Sequence, residues 1–99
     1  MTIKLYLDDE RPTPEGWLRC STAASAIDIL AHNAVEVVSL DHDLGLGDDH
    51  TGYTVAKWIE EQAHTRPDYV PPVVRCHSDN GPGRQAIELA IRSILRARS

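Results

Sequence analysis

The stretch IKLYLDDERPTPEGWLRC, residues 3–20, contains two strand candidates with no helix between them. Residues 3–7 are apolar and run into a group of acids, which predicts a buried strand followed by a polar loop. Residues 11–16 carry two prolines and a glycine and are predicted to be irregular, whereas residues 17–20 fit a short edge strand. The nine residues 8–16 that join the strands span roughly 30 Å when extended. This length is enough for the chain to run back along a short strand and begin the next parallel strand. The connection therefore does not need the helix that a parallel crossover usually contains.

The remainder of the chain alternates helix and strand patterns. Apolar residues recur at helical spacing in residues 21–33, 51–64 and 82–97. Residues 35–40 and 72–77, which are rich in β-branched residues, are strand candidates that alternate with these helices. Strands separated by helices favour a parallel sheet with helices on its faces. We therefore predict an α/β fold with a four-stranded, mainly parallel sheet and about three helices. We also predict the strand order 2-1-3-4.

Composition limits the classes of protein to which the chain can belong. Ninety-nine residues, of which 41% are hydrophobic and 25% charged, fit one soluble domain over residues 1–99. No apolar run reaches the roughly 18 residues of a membrane span and no signal peptide is evident, so we predict a cytoplasmic protein without a membrane partner. The net charge of -5 argues against duplex DNA as a partner, because undirected nucleic-acid binding needs a basic face.

The two cysteines provide a test of the predicted strand order. Cys20 and Cys76 are too few for a disulfide framework and show no zinc-ligand spacing. In the predicted sheet they lie on the second and fourth strands, roughly 14 Å apart. Disulfide Cα atoms must lie within about 7 Å of each other. We therefore predict that both thiols are free.

Polar side chains gather where three of the predicted strands end. Because the carboxyl ends of parallel strands meet at one edge of a sheet, these sets are predicted to lie together. Carboxylate oxygens suit Mg²⁺ or Mn²⁺, so we predict a divalent metal on Asp8, Asp9 and Asp41, with Asp43 as a fourth candidate. For any single acid, the alternative is a role in a turn or a helix cap. The three sets are Asp8, Asp9 and Glu10; Asp41, His42 and Asp43; and His77, Ser78 and Asn80.

The histidines and an arginine suggest further chemistry at the same edge. Imidazole titrates near neutrality, so His42 is a candidate metal ligand or proton carrier, the alternative being an inward-pointing structural histidine. His77 and Ser78 precede a predicted helix start, where free backbone N–H groups attract anions. Arg84 in the first turn of that helix is a candidate for a bidentate phosphate contact, and an ordinary surface arginine is equally compatible.

Three motifs resemble those of a known family. They are LDDERP at the end of the first strand, SLDHDLG with TGYTVAKWI after the third, and VRCHSDNGPGR after the fourth. Together they resemble the cyclic-phosphate processing receiver-like domain family, a diverged relative of two-component receiver domains, over nearly the whole chain. The resemblance implies a shortened receiver-like (flavodoxin-like) fold, a three-layer sandwich. It also implies a substrate or partner that carries a cyclic phosphate, either a nucleotide or an RNA end.

The resemblance also assigns roles to individual residues. It implies that Asp8 and Asp9 form the acidic metal pair, that Asp41 stands at the phosphoacceptor position and that Ser78 stands at the hydroxyl position. The groups that would distinguish the family from other receivers map onto Glu10, Arg11, His42, Asp43, His77 and Arg84. Receivers also place a phosphate-binding lysine after a fifth strand. The only lysines of this chain, Lys4 and Lys57, are not in such a place.

The leading hypothesis from the sequence is a metal-dependent phosphoesterase that opens cyclic phosphodiesters. In this hypothesis the catalytic residues are His42, His77 and Asp43, and the substrate-binding residues are Arg11, Ser78, Asn80 and Arg84. One alternative is a phosphoacceptor receiver that uses Asp41 as its nucleophile. The other is a non-catalytic module that binds a nucleotide or a protein. The missing lysine disfavours the receiver, and the histidines at two strand ends favour proton transfer during hydrolysis.

Overall fold

The computed structural model describes residues 3–8, 12–40, 52–77 and 81–98. The strands are β1 (Ile3–Leu7), β2 (Leu18–Cys20), β3 (Val35–Leu40) and β4 (Val73–Cys76). The helices are α1 (Ala23–His32), α2 (Gly52–Thr65) and α3 (Gly81–Arg98). Across the described residues, every helix is too short or too polar to span a lipid bilayer.

The strands form one parallel sheet in the order β2-β1-β3-β4. This arrangement confirms the predicted strand order, the strand direction and the three helices. The described part of the connection from β1 to β2, residues 12–17, contains no helix. It turns at Gly16, whose φ of +87° favours glycine, and the Trp17 N–H donates to the Pro14 carbonyl at 3.2 Å.

All three described helices pack on the same face of the sheet. The crossovers from β2 to β3 and from β3 to β4 both advance in the same direction across the sheet, and right-handed connections then place α1 and α2 on one side. Helix α3 packs against α2 and β4. One hydrophobic core joins the helices to alternate strand residues, among them Leu5, Leu7, Val38, Leu40 and Val74. The described part of the chain therefore has two layers, and no described helix supplies the third layer of the expected sandwich.

Local signals fix the ends of α1. The Thr22 hydroxyl accepts a hydrogen bond from the Ser25 N–H at 3.1 Å, which satisfies one of the amides left without a partner at the start of a helix. At the other end, the Asn33 side chain donates to the Ile29 carbonyl at 3.0 Å. Between these caps, Ala23, Ala26 and Leu30 form the buried stripe that faces the sheet. The small side chains of Ala23 and Ala26 bring α1 close to β1 and β2.

The two cysteines are free, as predicted. Cys20 lies on β2 and Cys76 on β4, with two strands between them. Cys20 is 6% exposed, and burial raises the pKa of its thiol to about 11. A thiol with so high a pKa is protonated at neutral pH and a poor nucleophile, so Cys20 is a core residue.

The raised pKa of Cys20 leads to a prediction for alkaline pH. Because the folded-state pKa lies above the unfolded value of about 9, the protonated thiol favours folding below pH 9, and this contribution is lost as the pH rises through about 11. Between pH 8 and pH 11 the free energy of unfolding should fall by about 2 kcal/mol more in the wild type than in Cys20→Ala. Urea unfolding of both proteins at the two pH values measures the difference. Equal losses would show that the thiol does not couple to folding.

Candidate active site

The carboxyl edge of the sheet positions Asp8 and His77 through their backbones. The Asp8 N–H donates to the Cys20 carbonyl at 3.1 Å, and the His77 N–H donates to the Leu40 carbonyl at 3.0 Å. Each bond continues the parallel ladder one residue beyond the end of β1 or β4. Both residues are therefore held by the rigid sheet at the point where its strands end.

The side chain of His77 reaches across β3 to Asp8. In the order β2-β1-β3-β4, the strands that carry these residues are separated by β3, a distance of roughly 10 Å. The imidazole Nε2 lies 2.9 Å from Asp8 Oδ2, and Nδ1 lies 2.7 Å from Ser39 Oγ. Ser39 is the β3 residue beneath the ring, and its small side chain leaves room for the imidazole. A continuous chain of hydrogen bonds thus links three strands.

Aromatic contacts fix the plane of the His77 ring. Tyr6 stacks on the imidazole with ring centroids 4.4 Å apart and planes 6° apart. Trp17 meets Tyr6 edge to face, with centroids 6.0 Å apart and an interplanar angle of 79°. Stacking on one side and hydrogen bonds at both nitrogens restrict both torsions of the histidine side chain. The Asp8–His77–Ser39 chain is therefore preorganised.

The site is largely buried, which strengthens its hydrogen bonds. Asp8 is 1% exposed and Ser39 is 7% exposed, and they are the buried polar residues of the described chain. When the imidazole is neutral, its Nε2–H donates to the Asp8 carboxylate, and Nδ1 accepts from the Ser39 hydroxyl. The imidazolium form donates to both. In either state both ring nitrogens contact buried protein groups, Asp8 and Ser39, and the imidazole orients the Asp8 carboxylate.

The structure describes three of the predicted site residues. Asp8 and His77 lie in direct contact, as the strand-end argument predicts. Arg84 lies in the first turn of α3, where its Nε donates to Glu88 Oε1 at 3.0 Å in an exposed pair. Its predicted phosphate contact stays a prediction. The other candidates lie outside the described residues: Asp9, Arg11, Asp41, His42, Asp43, Ser78 and Asn80.

The donor chemistry of the described residues is compatible with the predicted metal. Only Asp8 of the three predicted ligands is described, and the described residues contain no group of three or more His, Cys, Asp or Glu side chains that could hold an ion. Asp8 nevertheless has the character of a metal-binding carboxylate: it ends a strand, it is buried, and an imidazole binds one of its oxygens. Such hydrogen bonds orient carboxylate ligands in metal sites.

The sequence analysis did not select two residues of this site, Ser39 and Tyr6. Both have a weak signal in the sequence. Ser39 is the polar residue near the end of the apolar strand VEVVSL, and Tyr6 interrupts the leucines of β1. In each strand these residues point away from the helices, because alternate side chains point to opposite faces. Their contact with His77 depends on register between distant segments, which a local pattern does not contain.

A groove in the described structure lies elsewhere, on the helix layer. It has a volume of about 570 Å³ and opens between α1 and α2. Its lining includes Lys57 and Glu60, which form an ion pair with each other, and the hydrogen bond from Lys57 lowers the pKa of Glu60. The groove lacks the buried, preorganised polar groups of the strand-end site. We therefore place the candidate chemistry at the sheet edge.

Comparison of the sequence with models of known protein families identifies the family to which the chain belongs. The family model described as the cyclic-phosphate processing receiver domain matches residues 3–93. The chain belongs to this family. Comparison with curated proteins and with solved structures gave no significant match. In this cyclic-phosphate processing receiver domain, the Asp8–His77–Ser39 chain occupies the sheet edge where open α/β sheets bind their ligands.

Proposed function

We propose that this chain is a divalent-metal-dependent phosphoesterase that opens a cyclic phosphodiester on a nucleotide or at an RNA end. The observation that carries the proposal is the buried Asp8 carboxylate, held 2.9 Å from His77 at the carboxyl edge of the sheet. The pair with His77 offsets the cost of burying this carboxylate and orients it, as hydrogen bonds from imidazoles orient carboxylate ligands in metal sites. Membership of the cyclic-phosphate processing receiver family supports a substrate of that class.

In this proposal Asp8, Asp9 and Asp41 hold the metal, which would be Mg²⁺ or Mn²⁺. When bound, the ion would polarise the phosphoryl group and lower the pKa of a water molecule. Asp8 reaches the site already oriented, because its backbone is anchored to β2 and its side chain to His77. Preorganisation of this kind avoids the cost of ordering a ligand during binding.

Proton transfer falls to His42 rather than to His77. Nδ1 and Nε2 of His77 are both engaged with protein groups, so we assign His77 the role of positioning Asp8. His42 directly follows Asp41 after β3 and is the remaining histidine at a strand end. Asp43 would orient it or assist the transfer. Arg11, Ser78, Asn80 and Arg84 would bind the phosphate oxygens and the leaving group.

The receiver alternative requires a stable phosphoaspartate at Asp41. A receiver stabilises that group with a lysine, and neither Lys4 nor Lys57 follows a strand end on the site edge. Lys4 lies within β1, and Lys57 pairs with Glu60 on α2. A binding module without catalysis would use the same edge of the sheet. These three functions differ in what they do to a cyclic phosphate.

A hydrolysis assay tests the proposal. The protein is incubated with 2′,3′-cyclic nucleotides and with RNA that ends in a cyclic phosphate, in the presence of Mg²⁺, Mn²⁺ or EDTA. We expect conversion to a phosphomonoester with metal and none with EDTA. Conversion in EDTA would contradict the metal requirement, and no conversion of any substrate with either metal would contradict the phosphoesterase function.

A further inference from the structure

The face of the sheet opposite the helices is the least explained surface of the molecule. Register and alternation place one set of side chains on it, because paired residues of neighbouring parallel strands point to the same side. No helix among the described residues covers this face; Lys4, Arg19, Val73 and Arg75 are exposed on it, whereas Val37 and Ser39 on β3 are buried. Its strand residues are Lys4, Tyr6, Arg19, Val37, Ser39, Val73 and Arg75.

This open face is basic although the chain is acidic. Lys4, Arg19 and Arg75 are exposed there, on three different strands, while the whole chain carries a net charge of -5. The register-paired strand positions on this face carry no acid, Glu36 at the β-bulge of β3 is exposed without a register partner, and Asp8 at the edge beyond β1 is buried. Val73, 49% exposed, adds apolar surface beside Arg75. The charge therefore complements an anion that extends across several strands.

Aromatic rings connect the basic face to the candidate site. Trp17, Tyr6 and His77 form a continuous series of ring contacts, and His77 contacts Asp8. Trp17 precedes Arg19 by two residues and so lies on the same side of the sheet. Exposed cations combined with aromatic side chains on an open sheet are the features by which proteins bind single-stranded nucleic acid: phosphates contact the cations and bases stack on the rings.

We propose that the open face binds single-stranded RNA whose 3′ end reaches Asp8. The contacts would come from Lys4, Tyr6, Trp17, Arg19 and Arg75. From Lys4 to Asp8 the strand covers about 13 Å, so the face extends well beyond one phosphate group. This inference rests on the proposed function and makes the substrate an RNA end rather than a free cyclic nucleotide. The acidic composition is consistent with it, because the cations are confined to one side of the sheet.

Binding to RNA that lacks the reactive group tests the face independently of catalysis. The probe is a fluorescent single-stranded RNA of about eight nucleotides with a 3′-hydroxyl end, followed by anisotropy over a range of salt concentrations. Lys4→Gln/Arg75→Gln is compared with Arg92→Gln/Arg96→Gln, which removes the same charge from exposed positions on α3. We expect the first pair to weaken binding about tenfold and to reduce the salt slope by about 1.4, and the control pair to leave both unchanged.

Further measurements separate the possible outcomes. Equal effects of the two double variants would overturn the inference, because binding would then follow net charge alone. Sedimentation that shows a second copy of the chain on this face, lost in Lys4→Gln/Arg75→Gln, would also overturn it. RNA binding that depends on Lys4 and Arg75 without opening of a cyclic-phosphate end would support this face and contradict the phosphoesterase function. If Lys4→Gln/Arg75→Gln turned over both cyclic-phosphate RNA ends and cyclic mononucleotides as fast as the wild type does, the result would support the enzyme. It would overturn the RNA surface.

Discussion

Saturating Mg²⁺ or Mn²⁺ should raise the melting temperature of the wild-type protein by about 10 °C, and Asp8→Asn should abolish the increase. In the proposed site, Asp8, Asp9 and Asp41 would repel one another without a cation. A ligand at about 100 times its dissociation constant stabilises the native state by about 2.7 kcal/mol. In a domain of 99 residues, each kcal/mol shifts the melting temperature by several degrees.

Asparagine is the informative replacement because it changes the charge and retains the shape. Its side-chain oxygen can still accept the hydrogen bond from His77 Nε2, which in the wild type spans 2.9 Å to Asp8 Oδ2. The variant should therefore fold, and its loss of metal response reports binding rather than damage. Asp68→Asn, at an exposed position after α2, is the matched control and should respond to metal as the wild type does. A full metal response in Asp8→Asn would remove Asp8 from the ligand set.

Local patterns were sufficient to predict the elements of this fold. Strand bounds at β1 and β3 match the predictions at residues 3–7 and 35–40, because both are short apolar runs bounded by polar residues. The predicted strand order 2-1-3-4 belongs to the receiver-like fold that the three motifs imply, and the structure confirms it. Free cysteines on β2 and β4 agree with that order. These features depend on spacing and chain length, which are explicit in a sequence.

Among the described residues, the single helix layer is a consequence of the strand order, although the sequence led us to expect three layers. Two right-handed crossovers that advance in the same direction place their helices on one face. The helix that would cover the other face belongs between β1 and β2, and residues 12–17 do not form it. The number of helices alone suggests helices on both faces, whereas the direction of each crossover decides the face. The consequence is that no helix of the described residues covers the sheet face beside the candidate site.

The internal geometry of the site could not be obtained from local patterns. Ser39 and His77 are 38 positions apart in the sequence, and His77 and Asp8 are 69 positions apart. Their contacts require the strand order, the register and an imidazole long enough to cross β3. The position of each residue directly after a strand was sufficient to predict that Asp8 and His77 lie at one edge of the sheet. It did not reveal that both ring nitrogens of His77 contact protein groups, the observation on which we base the proposed positioning role of His77.

The two strand-end histidines should therefore differ in kinetics. His42→Ala should slow hydrolysis of a cyclic phosphate by about 10²–10⁴-fold at every metal concentration, because a general acid or base acts in the chemical step. His77→Ala should instead weaken metal binding by about 10–100-fold, because it removes the group that orients Asp8. Excess metal should restore much of the rate of His77→Ala and none of that of His42→Ala. Metal titrations of kcat for both variants measure the difference.

His64→Ala provides the control for loss of an imidazole. His64 lies in the last turn of α2, where its Nε2 contacts the Ser93 hydroxyl at 3.0 Å on the helix layer. Its removal should leave metal affinity and kcat unchanged. If excess metal does not restore the rate of hydrolysis by His77→Ala, His77 acts in the chemical step.

Acetyl phosphate separates hydrolysis from phosphoacceptance in the same preparations. If Asp41 holds a metal and His42 transfers the proton, intact-mass measurement with acetyl phosphate and Mg²⁺ should detect no phosphoryl adduct. A receiver would instead acquire the adduct at Asp41, and His42→Ala would have little effect on it. Labelling without hydrolysis would contradict the enzyme and support the receiver. Hydrolysis without labelling would support the enzyme. If hydrolysis is lost in His42→Ala, and if excess metal restores it in His77→Ala, then His42 acts in catalysis and His77 positions Asp8.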